Sequence, residues 1–253
     1  MSQSVERFSS RVADYVNYRP GYPSEVLQVL QTECGLTPQS VIADIGSGTG
    51  KLSEMFLANG NAVIGVEPNA GMRSAAEELL RDYSGFRSFA GTAEETTLAD
   101  QSVDFVTAAQ AFHWFDPEKA KLEALRILKP HGWAVLVWND RKLVATPFLK
   151  DYEALLLQFG TDYKEVRHDK AEGLIAEFFA PESVTLRTFP NNQLFDFAGL
   201  RGRVRSSSYT PEPSHPDFET MMLVLEKIFE KHQQNSRVIF DYDTKVYYGH
   251  LTA

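Results

Sequence analysis

Three glycines alternate behind an aspartate in the run Val41-Ile-Ala-Asp44-Ile-Gly46-Ser-Gly48-Thr-Gly50. An apolar strand that feeds such a turn, followed by a helix from about Lys51, is a ligand-binding device. Glycine lets the backbone take positive φ and approach a ligand closely. The helix N-terminus adds free N–H groups and partial positive charge. A phosphate-cradling loop needs G-x-x-x-x-G-K-[ST], and here Ile45 and Leu52 stand where the first Gly and the final Ser or Thr belong. A dinucleotide turn needs G-x-G-x-x-G. Gly46 and Gly48 fit it, but position 51 is Lys and the third glycine comes one residue early. The pattern as it stands is D-x-G-x-G-x-G; read blandly, it is a tight strand–helix turn capped by Asp44.

Three further clusters carry chemistry. The apolar run Ala62–Val66 ends in Glu67-Pro68-Asn69, and an acid at a strand end can accept hydrogen bonds from both hydroxyls of a ribose. A turn, Gly91-Thr92-Ala93-Glu94-Glu95, follows the next strand. The fourth strand runs into Gln110-Ala-Phe112-His113-Trp114, at the edge where open α/β sheets bind ligands.

Together with Leu128-Lys-Pro-His-Gly-Trp133, these motifs resemble the class I S-adenosylmethionine-dependent methyltransferases of type 11. They are most similar to the branch containing trans-aconitate methyltransferase-like proteins. Tyr15-x-x-Tyr18-Arg19-Pro-x-Tyr22-Pro, Arg205-Ser-Ser-Ser-Tyr209 and Tyr242-x-Thr244 extend the likeness over nearly the whole chain. The resemblance implies S-adenosylmethionine as cofactor, S-adenosylhomocysteine as product and a small-molecule methyl acceptor, with a carboxylic acid as one candidate. Gly46, Gly48 and Gly50 then form the cofactor turn, Asp44 favours the cationic methionine end, and Glu67 takes the ribose. Ala93 contacts adenine through its backbone, in a turn where Thr92 replaces the family's usual acid. Gln110 also falls to the cofactor, and Tyr18 and Arg19 cover its carboxylate. His113 is the candidate base or substrate hydrogen-bonding group, with a structural histidine as the alternative. Tyr22, Trp114 and Arg205 are candidates for the substrate. Arg201, Arg203 and Arg205 would face one way together in an extended segment, and would splay in a helix.

The elements that must position these groups follow from periodicity. Apolar runs at Val41–Ile45, Ala62–Val66, Arg87–Ala90, Val103–Ala109 and Trp133–Trp138 alternate with helical segments at about 51–59, 69–83 and 117–128, which reads as βαβ units. A helix carrying Phe8, Val12, Tyr15 and Val16 on one face must end before Pro20, and another covers 24–33. Later come helices at about 147–160, 168–180, 196–204 and 215–234, a sixth strand at 184–189 and a final one at 238–251. The expected fold is Rossmann-like α/β: a mostly parallel seven-stranded sheet with helices on both faces and a helical insertion, or lid, after the fifth strand. A single domain of 1–253 divides into an N-terminal helical lid (1–35), a cofactor core (36–140), an insertion with the sixth strand (141–236) and a C-terminal strand (237–253). The stripe Phe218, Met221, Met222, Leu225 and Phe229 reads as core.

Net charge is −9, and nucleic-acid binding relies on a basic face, so no nucleic-acid partner is expected. The sequence holds no run of apolar residues long enough to span a membrane and no signal peptide. A single cysteine, Cys34, cannot pair within the chain, which points to the cytoplasm. The six histidines show no metal-ligand spacing, so no metal is expected. Composition leaves the oligomeric state open. Two other functions stay open at this point: a nicotinamide-dependent oxidoreductase, and a non-catalytic or regulatory protein that keeps the fold.

Overall fold

A computed structural model describes residues 12–161, 163 and 171–252. Phe8 and His168 lie outside them. The chain begins with α1 (Val12–Tyr18) and α2 (Ser24–Glu33). The alternating core is β1 (Val41–Ile45), α3 (Lys51–Ala58), β2 (Ala62–Val66), α4 (Ala70–Leu79), β3 (Phe86–Phe89), β4 (Val103–Ala109), a 3₁₀ turn at Phe112–Trp114, α5 (Pro117–Ile127) and β5 (Leu128–Arg141). The remainder is α6 (Pro147–Phe159), α7 (Ala171–Phe179), β6 (Thr185–Phe195), α8 (Phe197–Arg205), α9 (Phe218–His232) and β7 (Val238–Gly249).

At α4, α5, α6 and α8 a side chain satisfies one of the helix's first N–H groups. Asn69 accepts from Met72 N, Asp116 from Lys119 N, Thr146 from Leu149 N and Asp196 from Gly199 N. Proline follows the cap of α5 and of α6, at the position that has no use for an N–H.

The strand order is β3-β2-β1-β4-β5-β7-β6. It reverses between β1 and β4, and ligands of open α/β sheets bind beyond the C-terminal ends at such a point. The sheet is mixed, which corrects the expectation of a mostly parallel one. The four pairings from β3 to β5 are parallel, and both pairings of β7 are antiparallel. The reason lies in the connection. Phe195, the last residue of β6, pairs with Val238, the first of β7, so α8 and α9 leave and return at one edge and β7 must run back. That edge is the one where β1 and β4 end, because Arg141 closes β5 beside Tyr242.

β6 also runs six residues past its expected end, through Pro190. Proline is tolerated because β6 is the sheet's outer strand and its missing N–H removes no inner ladder bond.

One core cluster contains Ala43, Val66, Val106, Leu136 and Phe179. Another contains Ile42, Phe56, Val63, Phe105 and Val137. Neighbouring residues on β1 enter different clusters, as period-two strands require. A third cluster joins α6, α8, α9 and the start of β7, with Tyr152, Val204, Phe240 and Tyr242 fully or nearly fully buried. The Met221, Met222 and Leu225 stripe is part of it. Each such side chain contributes roughly 1.5–3 kcal/mol by leaving water, so this third core holds rigid the polar groups borne on its flank. No helix among the described residues is long and apolar enough to cross a membrane.

Candidate functional site

A cavity of about 490 Å³ opens at the C-terminal edge of the sheet, within the usual range for small-molecule sites. Asp44, Gly46, Ser47, Gly48 and Thr49 form one wall. All three motif glycines have positive φ. A Cβ on Gly48 would meet nothing within 4 Å, so this residue is the one that leaves the backbone open to a ligand. At Gly46 and Gly50 an added Cβ would strike Ala111 at 2.7 Å and Leu80 at 2.5 Å. Gly46 thus seats the turn on the segment after β4, and Gly50 lets α3 pack against α4.

Asp44 is 1% exposed. It accepts hydrogen bonds from Ser53 Oγ at 2.7 Å and Thr107 Oγ1 at 3.3 Å. Burial pushes its carboxyl up to about 6, against those two bonds. A buried acid held this way gains from any cationic partner. Thr49 Oγ1 is buried without a hydrogen-bond partner among the described residues. An open backbone cradle, an acid in want of a cation and an unused hydroxyl fit a cationic ligand such as the methionine end of S-adenosylmethionine.

The second wall comes from strand ends and the N-terminal turn. Gln110 takes φ 57 just past β4 and donates from Nε2 to Asn139 O at 3.3 Å. A non-glycine residue at positive φ is an unfavourable conformation, and such residues cluster at functional sites. Asn139 Nδ2 donates to Gly21 O at 3.1 Å, and Asn191 Nδ2 reaches the same oxygen at 3.0 Å. These bonds tie the Arg19–Pro23 turn to the sheet and bring Arg19 and Tyr22 into the lining. Burial holds the Tyr22 phenol well above the usual range, with Asp44 adding to it.

The third wall is cationic and aromatic. Arg203, 5% exposed, donates from Nη1 to Ser207 Oγ at 2.9 Å and from Nε to Tyr242 Oη at 3.3 Å. Arg141 donates from Nη2 to Glu153 Oε2 at 2.5 Å and to Tyr163 Oη at 2.8 Å, and its guanidinium lies 5.0 Å from the Tyr152 ring centre. Arg19 donates from Nη2 to Ser206 O at 2.8 Å and lies over Tyr15 at 5.1 Å. Burial and the neighbouring Arg203 lower the Arg19 pKa. For Arg203, burial acts against the charge, but Tyr242, Tyr209 and Tyr152 outweigh it and the pKa is raised. Arg19 Nε and Arg141 Nη1 are buried and find no hydrogen-bond partner among the described residues. Two buried guanidiniums, Arg141 and Arg203, and the half-buried Arg19, with spare donors on Arg19 and Arg141, suit an anion.

Of the expected site residues, Arg19, Tyr22, Asp44, Gly46, Gly48 and Gln110 line this cavity; the others sit elsewhere. The Tyr18 ring fills the space over Gly202, whose Cβ would fall 2.1 Å from it, because α1 packs on α8 there. Gly50 serves helix packing, as above. Glu67 lies behind the glycine turn, where Oε2 accepts from Gly48 N at 3.0 Å and Oε1 from Asn69 N at 2.9 Å. Ala93 belongs to the core cluster of Val66 and Leu98. His113 packs at 4.6 Å from the ring of Trp114, which is largely exposed, and at 6.5 Å from that of Trp138, which does line the cavity. Arg205 points outward to Asp14 at 3.1 Å. The segment is helical, so its arginines splay, and Arg203 is the one turned inward.

Sequence reading missed Asn139, Asp140 and Arg141 at the end of β5, and Tyr163, Tyr209 and Tyr242 opposite them. The strand-end rule that singled out Gln110 applies equally to β5 and could have found the first three. Tyr209 and Tyr242 stand in the sequence only within the family likeness, with no role attached, and nothing local marks Tyr163. Among the described residues no cluster of three or more His, Cys, Asp or Glu side chains could hold a metal ion.

Comparison with known proteins bears on the glycine wall. Residues 43–136 match a family model described as a methyltransferase domain. An uncharacterized methyltransferase of Mycobacterium tuberculosis is 39% identical over 134 residues, 53% of this chain and 52% of its own length. One from Schizosaccharomyces pombe is 35% identical over 135 residues, 53% of each chain. The chain spans about half the length of these curated relatives. Among solved structures, a phosphoethanolamine N-methyltransferase of Haemonchus contortus, in complex with S-adenosylhomocysteine, superposes with a TM-score of 0.56. It is 16% identical, and the overlap covers 97% of this chain and 58% of that one. At that identity the likeness is one of fold.

Proposed function

We propose that this chain is an S-adenosylmethionine-dependent methyltransferase of type 11, in the trans-aconitate methyltransferase-like branch, acting on a small carboxylic acid in the cytoplasm. One observation carries the reading: a single cavity is lined by the glycine turn with buried Asp44 and by three arginines, Arg19, Arg141 and Arg203. The match of residues 43–136 to a methyltransferase-domain model supports the cofactor half. The buried Cys34 thiol, kept unpaired in a reducing compartment, supports the location.

The cofactor, when bound, supplies an electrophilic methyl group and a neutral leaving group. Asp44 is the counter-charge for its cationic end, Gly48 offers open backbone, and Arg19, through Nε, takes its carboxylate. In this reading Glu67 gives up one of its two bonds behind the turn to reach a ribose, and the Ala93 backbone is the adenine contact. Arg141 and Arg203 hold the acceptor as its anion and align it. A carboxylate is already a nucleophile, so no base is required. This agrees with His113 standing outside the cavity wall, one ring behind Trp138. Helix α7 reaches the lining through Ile175, and cover from that side would exclude water from the reacting groups.

The test is transfer of a labelled methyl group to a panel of di- and tricarboxylic acids, with the product identified as a base-labile ester. Arg203→Lys should raise KM for the acceptor about tenfold or more while leaving cofactor affinity intact, since lysine cannot reproduce the fork of bonds. Transfer to amines or phenols with none to carboxylic acids would overturn the acceptor assignment.

A further inference from the structure

Arg141 and Arg203 share one wall of the cavity, yet they are held by different chemistry. Arg141 donates from Nη2 to Glu153 Oε2 at 2.5 Å and to Tyr163 Oη at 2.8 Å, and Tyr163 Oη donates in turn to Glu153 Oε2 at 2.6 Å. Guanidinium, phenol and carboxylate thus close a triangle on one oxygen. That oxygen accepts twice, as an ionised carboxylate does, and both charged side chains are buried. Together they carry no net charge, and Arg141 Nη1 is the donor left over.

Arg203 is also buried, but its hydrogen bonds go to hydroxyls, Ser207 Oγ at 2.9 Å and Tyr242 Oη at 3.3 Å. No carboxylate pairs with it among the described residues. Tyr242 passes the bond on to Gln193 Oε1 at 3.0 Å, again a neutral group. Buried charges are ordinarily paired, so Arg203 is the exception on this wall.

The rest of the lining leaves that count unchanged. Asp140 pairs with Lys245 at 2.8 Å and Asp243 with Lys142 at 3.0 Å. Lys51 stands at the start of α3, on the glycine wall, and Arg19 and Asp44 belong to the two ends of the cofactor in the proposed function. On the acceptor wall one positive charge, that of Arg203, has no counter-charge.

We propose that Glu153 is a specificity-determining residue. By cancelling the charge of Arg141 it makes the wall a reader of one carboxylate and one neutral polar group. The acceptor class is then a dicarboxylic acid that also bears a hydroxyl or carbonyl oxygen, rather than a tricarboxylic acid. One carboxylate oxygen attacks the methyl carbon while the methyl–sulfur bond breaks and leaves its electron pair on sulfur, with no proton moved. The second carboxylate lies on Arg203, and the neutral oxygen accepts from Arg141. A third carboxylate at Arg141 would lose its water and meet a guanidinium already spent on Glu153, with the Glu153 charge close behind. A desolvated, unpaired charge is an effective means of excluding a near relative. The inference rests on the proposed function and narrows its substrate.

Glutarate, 3-hydroxyglutarate and tricarballylate share a carbon frame and differ at its middle carbon, which carries hydrogen, a hydroxyl or a third carboxylate. Their dissociation constants are to be measured by calorimetry on the full chain saturated with S-adenosylhomocysteine, at about pH 8, where every carboxylate is ionised. Wild type should bind 3-hydroxyglutarate tightest and tricarballylate about tenfold or more weaker. Glu153→Gln keeps the shape and uncovers the Arg141 charge, so it should shift the ratio about tenfold or more toward tricarballylate. The double variant Arg141→Gln/Glu153→Gln removes both charges together and should still reject tricarballylate, which keeps the test open where the single variant fails to fold. Wild type that binds tricarballylate as tightly as 3-hydroxyglutarate, an unchanged ratio in Glu153→Gln, or lost rejection in the double variant overturns the inference. A merely structural Glu153 would alter stability and leave the ratio alone. Binding of S-adenosylhomocysteine with none of the three acids bound would instead overturn the carboxylic acid assignment itself, so the two failures are distinct.

Discussion

The two sides of the cavity are built on opposite plans. The glycine wall is local: Asp44 to Gly50 is one strand end and one turn, and its nearest supports, Ser53 and Glu67, follow within a single βαβ unit. The arginine wall is assembled from α1, β5, α6, α8 and β7, so Arg19 and Tyr242 meet only because the third core brings both ends of the chain together. A local device is fixed by backbone geometry and tolerates change around it. A dispersed one is fixed by packing and buried charge. The difference predicts where the protein should be fragile and where it should be selective.

The largest effect should come from the dispersed wall. Arg141→Ala removes the guanidinium from the buried Glu153 carboxylate, and breaking a buried pair from one side costs about 3–5 kcal/mol; urea denaturation should show it. Next comes Gly50→Ala, which sets a Cβ 2.5 Å from Leu80 at φ 83. Strain and overpacking together should cost about 1–3 kcal/mol with cofactor affinity less affected, since Gly50 serves packing.

Asp44→Asn should do the reverse, weakening S-adenosylmethionine about 10- to 100-fold, the worth of a charged hydrogen bond, with little loss of stability. The wild-type pH profile follows from the Asp44 carboxyl lying near 6. A cationic ligand favours the carboxylate, so below about 6 binding must expel a proton and affinity falls about tenfold per pH unit. Above about 6 it is level, and calorimetry across that range should find the slope in wild type and none in the variant. The smallest effect belongs to Arg205→Ala. Its pair with Asp14 is half-exposed, so stability should change by about 1 kcal/mol or less. A large loss there would blur the distinction drawn between Arg205 and Arg203.

The same contrast explains what the sequence made legible. Asp44 and the glycine turn stand out because positive φ and strand-end acidity are written in consecutive residues. The strands up to β5 are legible for the same reason, as unbroken apolar runs. The direction of β7 is not, because it depends on where α9 delivers the chain. The sequence ends β6 before Pro190, because its place at the sheet edge, where a proline is tolerated, is invisible locally. Arg203 and Arg205 are chemically alike and two residues apart, and the helical turn of α8 decides which is buried. Tyr209 and Tyr242 belong to motifs of the family likeness that name no role for them; only the fold brings them into one cavity with three arginines.

The central claim is that the glycine wall holds S-adenosylmethionine. Titration calorimetry of S-adenosylhomocysteine into wild type, Asp44→Asn and Glu67→Ala, with NAD as the competing ligand, tests it most directly. The account predicts micromolar binding of S-adenosylhomocysteine to wild type, weakened in both variants, and no binding of NAD. Binding of NAD alone, or S-adenosylhomocysteine affinity unchanged in both variants, would contradict it.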